Sequence, residues 1–298
     1  MITTSVLSLV IILIFSNSGG TFAADWSYKN EETWPAECIK GKEQSPIALS
    51  ESAAEEKSFP EFVFEQYDDR YMAKIKNNGH AVEIRIDGNV RPTVRGGGLP
   101  SMYILDNLHL HWKSEHTIND ERFPLELHLV HYSNNSRNVA EGLKHKGGVA
   151  VIAVLFYFSP DDDDELDHVF DAVDRLHKQK INEFQQIGKI DLNDFLPRDR
   201  AGFYRYNGSL TTPGCTEGVI WTVFTNPLPV SQSQVKSFSM LRTHENNFLS
   251  ANFRNLQDLN DREVYLKISR PLNSGTFNSA FGSFKIFMIF IALFKIML

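Results

Sequence analysis

Basic clusters are missing from this chain. Its 30 Lys and Arg are outnumbered by 37 Asp and Glu, for a formal net charge of −7, and no Lys/Arg stripe gathers on any segment. That argues against a nucleic-acid partner, whose phosphates call for a concentrated positive footprint. Cysteine is equally scarce: Cys38 and Cys215 leave room for a single bridge. No Pro/Gly/Ser-rich linker interrupts the chain and no internal repeat recurs. With 298 residues and 42% hydrophobic content, one domain with a sizeable core is the expected organisation. Gly96-Gly97-Gly98 lacks the strand and lysine of a phosphate loop and reads as a tight backbone site. The acidic run Asp161–Glu165 reads as the solvated start of a helix, where the dipole favours negative charge.

Lys and Arg are also absent from residues 1–23. Val6–Phe15 is nonetheless apolar, and Thr21-Phe22-Ala23 places small residues at −3 and −1 of a cleavage point before Ala24. This is a signal-peptide pattern whose only positive end is the α-amino group. It directs the chain to an oxidising compartment, where a cysteine pair is normally bridged. At the other end, Phe284–Leu298 is hydrophobic but carries Lys285 and Lys295 and falls short of the roughly 20 apolar residues of a bilayer span. Small Asn273-Ser274-Gly275 and the spacer Thr276–Ser283 precede it, which fits a glycosylphosphatidylinositol (GPI) anchor signal, with a single-pass anchor and an untethered or interfacial tail as the alternatives. The expected division is a signal peptide at 1–23, a domain at 24–272 and an anchor signal at 273–298. The product would then stand on the extracellular face of the plasma membrane.

The chemistry concentrates between Tyr103 and Tyr132, in YILDNLHLHWKSEHTINDERFPLELHLVHY. Two alternating apolar runs flank a polar turn. Asn107, His109 and His111 recur at every second position of the first; Glu126 and His128 do so in the second. A strand sends residues i and i+2 to one face, so each set shares a face. If both runs lie in one sheet, three imidazoles converge, with a carboxamide and a carboxylate behind them. Three neutral His nitrogens and one open position describe a catalytic zinc site, and the amide and carboxylate are the expected acceptors of the second ring N–H. His116 and His131 lie in the same stretch, so residue type alone does not choose the third ligand.

LHLHW, SEHT and ELHLVHY, with YNGSLTTPGC far downstream, resemble the α-class carbonic anhydrases, and the likeness runs from about Trp26 to about Ile268. The resemblance implies a mostly β, α+β single domain. Its large, twisted, mainly antiparallel sheet has short peripheral helices, and zinc sits at the base of a conical cavity. It implies His109, His111 and His128 as zinc ligands, Asn107 and Glu126 as their hydrogen-bond partners, and His116 as a buried structural histidine. It also implies a Cys38–Cys215 disulfide, as in secreted and membrane-bound members. Trp26 and Tyr28 match the family's aromatic N-terminal arm, and Gln44-Ser45-Pro46-Ile47 matches a further motif.

The implied activity is reversible hydration of CO2 to bicarbonate and a proton, by attack of zinc-bound hydroxide. Thr211 and Glu115 match the relay that orients the nucleophile, and Thr212 lies next to the product. Val130, Val151, Leu210 and Trp221 match the apolar wall that receives CO2. His80, after the Asn78-Gly79 turn, matches the cavity-wall histidine that shuttles protons; imidazole suits this because its ordinary pKa is ~6.5. A binding-only ectodomain is the rival function, but members of that kind lose a ligand histidine, and all three are present here. The chain departs from the family pattern at a shortened loop after His111, at Tyr204 where Trp is frequent, and at Asn207 where Pro is frequent. The last creates the sequon Asn207-Gly208-Ser209 beside the site; the sequon at Asn134 is the expected glycan acceptor.

Elsewhere, Val149–Phe158 reads as a strand buried on both faces. Leu166, Val169, Phe170, Val173 and Leu176 keep helical spacing. A further helix is expected from Ser231, with Gln234 completing a capping box.

Overall fold

The alternation over 103–132 becomes an antiparallel pair, Tyr103–Trp112 and Leu125–Ser133, within a mixed sheet of 13 strands. The computed structural model that shows this describes residues 26–269, so the expected signal peptide and anchor signal lie outside the described residues. The main path of the sheet runs Gln185–Asp191, Arg70–Asn77, Val82–Ile86, Tyr103–Trp112, Leu125–Ser133 and Val149–Phe158. It continues through Glu217–Phe224, Phe203–Ser209, Tyr265–Lys267 and Glu55–Glu56. Neighbours on this path are antiparallel except Val149–Phe158 with Glu217–Phe224, and Tyr265–Lys267 with Glu55–Glu56. The expected mostly β architecture with a few short helices is what forms.

Val149–Phe158 shows no alternation because both its faces are covered. Its first eight residues are buried, and only Tyr157 and Phe158 emerge. One face of the sheet points Leu108, Leu110, Leu127, Leu129, Ile152 and Val154 into the larger core. Fully burying an aliphatic side chain of this size contributes roughly 1.5–3 kcal/mol. The helix Asp167–Arg175 closes that core with Val169, Phe170 and Val173, and Gln232–Phe238 adds Phe238. Ser231 and Gln234 cap the second helix reciprocally, as their spacing predicts. The opposite face carries a smaller core, including Val130, Val151, Ala153, Tyr206 and Trp221. The histidines stand on this second face. A register slip of one residue would send them all into the larger core.

One irregularity matters for the site. Val130 pairs with Asn107 but His131 with Leu105, so Asp106 is an extra, bulged residue. The bulge lets Leu105 and Asn107, two positions apart, serve opposite faces: Leu105 joins the large core and Asn107 the site. On the other strand His131 stays with the large core, fully buried, its Nε2 2.6 Å from the Tyr67 hydroxyl. The disulfide Cys38–Cys215, with Cα atoms 5.1 Å apart, ties the short helix Ala36–Lys40 to the turn that follows Thr211 and Thr212.

Candidate metal centre

Strand register does the first part of the assembly. His128 lies directly opposite His109, and Glu126 opposite His111. The three ring centroids are 5.2 Å apart for His109–His111, 5.1 Å for His109–His128 and 4.5 Å for His111–His128.

Hydrogen bonds then decide which nitrogens remain free. His109 donates Nδ1–H to Asn107 Oδ1 at 3.1 Å. The Asn107 amide is itself oriented, because its Nδ2 donates to the bulged Asp106 carboxylate at 2.8 Å. His128 donates Nε2–H to Glu126 Oε1 at 2.7 Å. His111 donates Nδ1–H to the backbone carbonyl of Asn252 at 2.6 Å. Each ring thus spends its proton outward and keeps a lone pair pointing inward: Nε2 of His109, Nε2 of His111 and Nδ1 of His128.

These three nitrogens fit a zinc ion. Nε2 of His111 is buried with no partner. Nδ1 of His128 and Nε2 of His109 face each other at 3.3 Å, two lone pairs whose repulsion a cation would relieve. The three residues can each offer a donor atom within one metal's reach. Burial, then the neighbouring His128 and His111, hold the His109 imidazole well below its ordinary value, and burial likewise lowers His111. Both shifts favour the neutral form that ligation requires.

A second combination, His116 with Glu126 and His128, also meets the spacing for a metal. It is already satisfied as a hydrogen-bond network. His116 is fully buried, gives Nδ1 to Glu126 Oε1 at 2.6 Å and meets the Tyr206 hydroxyl through Nε2 at 2.7 Å; its backbone N–H donates to Glu126 Oε2 at 2.8 Å. Burial opposes the charge on Glu126, but His116 and His128 outweigh it and hold the carboxyl well below the usual range. The network braces His128 from behind.

The histidines form the inner wall of a cavity of about 310 Å³. Val130, Val151, Leu210 and Trp221 line its apolar side, joined by Val139, and Thr211 and Thr212 lie at the same wall. Glu115 is fully buried nearby: its Oε1 accepts from Arg254 N at 2.9 Å, and Oε2 lies 3.7 Å from His111 Nε2. Among the described residues no hydrogen bond reaches Glu115 Oε2, so the expected Thr211–Glu115 contact is not formed in this structure.

His80 lines the same cavity, farther out, but it is not the freely titrating imidazole that its place in the sequence suggests. Its ring lies flat on Trp26, with centroids 3.8 Å apart and planes 9° from parallel, and its Nε2 is buried without a partner. Burial, then the adjacent His244, push its pKa down to about 4, against a small opposing effect of Glu245.

Asn252 is the residue the sequence reading missed. Fully buried, it holds His111 through its carbonyl and donates Nδ2 to the carbonyls of Leu110 and His80, at 3.0 and 2.9 Å. It also accepts Trp112 N on Oδ1 at 2.7 Å. It stands 141 residues from His111, in a segment outside any regular element, so no local periodicity marks it. Tyr206 and the bulged Asp106 were missed for a different reason: the reach of Tyr206 to His116 and the bulge at Asp106 both depend on how strands pair.

A family model described as eukaryotic-type carbonic anhydrase matches residues 24–268. Carbonic anhydrase 4 of Rattus norvegicus is 32% identical over 246 residues, 78% of this chain and 78% of its own length. Carbonic anhydrase 4 of Mus musculus is 34% identical over 248 residues, again 78% of each. Carbonic anhydrase 12 of Homo sapiens is 32% identical over 270 residues, 82% of this chain and 73% of its own length.

Proposed function

The chain belongs to the eukaryotic-type carbonic anhydrases and is an enzyme of that family, and from that premise we propose that it hydrates CO2 reversibly with zinc held by His109, His111 and His128. The observation that carries this reading is the convergence of three inward lone pairs whose opposite ring nitrogens are all committed to Asn107, Asn252 and Glu126. Bound there, zinc supplies Lewis acidity that makes water a nucleophile at neutral pH, for which carbonic anhydrases are the standing example.

The rest of the work falls to the chain. Asn107, the Asn252 carbonyl and Glu126 fix ring orientation and tautomer, so the donor set is arranged before a metal arrives. Val130, Val151, Leu210 and Trp221 offer apolar CO2 a surface that water does not contest. Thr211, on the cavity wall, would orient the nucleophile by accepting its hydrogen. To pass its own to Glu115 Oε2, which no hydrogen bond reaches among the described residues, the two side chains must first close together. Thr212 meets the product beside it. His80 carries the released proton outward. Held flat on Trp26 it accepts a proton poorly, so it loads after swinging off that ring and unloads on returning to it.

Metal content together with CO2 hydration by the purified protein tests this reading. One zinc per chain and rapid hydration are expected; a metal-free or silent protein that still folds would favour a binding role for the domain.

We also propose display outside the cell, with a signal peptide at 1–23, a GPI anchor near Asn273 or Ser274 and a glycan on Asn134; the sequence patterns support this reading. The Cys38–Cys215 disulfide supports an oxidising compartment, and Asn134 stands exposed on a turn. Phosphatidylinositol-specific phospholipase should release activity from intact cells. Recovery of Phe284–Leu298 in the mature protein would favour the single-pass alternative.

A further inference from the structure

His80 has a second neighbour besides Trp26. The turn after Arg242 closes on itself through Thr243 N to the Asn247 carbonyl at 2.9 Å. It docks against the strand end at Asn77 and the turn at Asn78-Gly79. Asn77 Nδ2 donates to the Arg242 carbonyl at 2.8 Å, and His244 donates Nε2–H to the Asn78 carbonyl at 3.1 Å. The His244 ring stands 5.7 Å from that of His80, centroid to centroid. Gly79 makes this approach possible: a Cβ there would lie 2.4 Å from His244 Cδ2, and the residue takes φ +88°, which disfavours any side chain.

We propose that His244 is the outer half of a two-imidazole proton exit, taking from His80 the proton that leaves the metal site and giving it to buffer at the protein surface. The proposal rests on the reading of His80 as the first carrier. His80 Nε2 is buried with no partner, so its proton or lone pair is not committed elsewhere. His244 is exposed to solvent, and because its Nε2–H is held by Asn78, Nδ1 is the site that accepts. The rings stand 5.7 Å apart centroid to centroid, and because His80 Nε2 is closed off from water the transfer runs from the other ring nitrogen, Nδ1, through a bridging water. The step balances as a plain transfer: imidazolium at His80 becomes imidazole, imidazole at His244 becomes imidazolium, and a buffer base removes the proton from His244.

Direction comes from the surroundings. Burial, and then His244 itself, weaken the hold of His80 on a proton in the Trp26 stack, while Glu245 opposes this. Tyr28, Lys29 and Glu245 share a small cavity with His80, and Glu83 and Arg85 line the larger one. A proton brought back to the stack is therefore held less firmly than in water, beside an exposed acceptor.

The test uses the mature, zinc-loaded protein with His80→Ala, His244→Ala and the double substitution, assayed for CO2 hydration in dilute and concentrated buffer. The serial exit predicts that His244→Ala lowers kcat severalfold in dilute buffer and leaves kcat/KM for CO2 unchanged. Concentrated imidazole should restore the rate, and the double variant should be no slower than His80→Ala alone. If His80→Ala is slow but His244→Ala matches the parent, His244 carries nothing and the proposal falls while the shuttle reading stands. If His80→Ala itself is unaffected, the shuttle reading falls first. Additive losses in the double variant would mean parallel exits and would also overturn the series. NMR titration of the His80 ring supplies a readout independent of turnover: its pKa should rise in His244→Ala, in metal-free and zinc-loaded protein alike. An unmoved His80 titration would contradict the contact on which the exit depends.

Discussion

The backbone carbonyl of Asn252 accepts the Nδ1 proton of His111 at 2.6 Å, while the same residue's side chain binds the peptide of His80 at 2.9 Å. One buried asparagine thus couples a proposed zinc ligand to the proposed proton carrier. Its side chain also holds Leu110 O and Trp112 N, the groups flanking His111.

Asn252→Ala should therefore disturb metal binding without removing a ligand. Each buried group left unpaired costs about 1–3 kcal/mol. The carbonyl that accepts from His111 survives in Asn252→Ala, so metal affinity falls only through loss of the side-chain bonds that position it. The loss should stay at or below the low end of the ~10–100-fold typical of losing such a contact outright. Competition with a chelator measures the affinity and thermal unfolding the stability. Parental values for both would show that the backbone holds His111 unaided.

The two metal-compatible clusters make opposite forecasts for single substitutions. His109→Ala removes a donor from the proposed site and should abolish stoichiometric zinc, because three ligands are needed to hold the ion with one open position. His116→Ala removes only a bond to Glu126 and one to Tyr206. It should keep zinc at reduced stability. Zinc retained in His109→Ala and lost in His116→Ala would place the ion in the rear network instead.

Much of this site is legible in the order of residues. Asn107, His109 and His111 fall at every second position, as do Glu126 and His128, and a strand converts that spacing into a shared face. The step from two faces to one site needs the pairing of His128 with His109, which no local pattern states. The likeness to a known family supplied it. Asp106 shows a different limit: the bulge that separates the roles of Leu105 and Asn107 breaks the alternation by one residue and leaves no mark in composition. His80 shows another, since its place in the chain is plain but its stacking on Trp26, 54 positions away, changes its acidity. The start of the helix from Ser231 and its capping box, whose signals are local, were readable.

The disulfide bears on both stability and the active-site wall. Cys38 and Cys215 close a loop spanning 177 positions, and Cys215 N donates to the Thr212 carbonyl at 2.9 Å. Replacing both cysteines by serine should cost about 2–5 kcal/mol. Loosening the Thr211-Thr212 turn should also lower kcat before zinc is lost. Urea unfolding, zinc analysis and kinetics on one preparation separate the effects. Unchanged stability would mean that the 36–40 helix is held by its other contacts, among them the bond from Arg254 to the Cys38 carbonyl.

His131 should give the folded protein a sensitivity to mild acid that is independent of the metal. It is fully buried in the large core, its Nδ1 has no partner, and burial pushes its pKa down to about 4. Unfolded, the ring titrates near ~6.5. Between those values the unfolded chain binds a proton that the folded chain refuses, so stability is complete above about pH 6.5 and declines as pH falls toward about 4. At ~1.4 kcal/mol per pKa unit, the shift to about 4 amounts to about 3 kcal/mol across that window. His131→Gln should remove this part of the slope while leaving an acceptor for the Tyr67 hydroxyl. Urea unfolding of metal-free protein at several pH values in the window makes the comparison without competition from zinc release. His80, also lowered to about 4, contributes to the parental slope in the same direction, so the quantity to read is the difference between His131→Gln and the parent. Equal slopes in the two proteins would show that His131 is protonated in the fold, with the backbone groups of Leu129 and Ala150, which oppose the effect of burial, outweighing it.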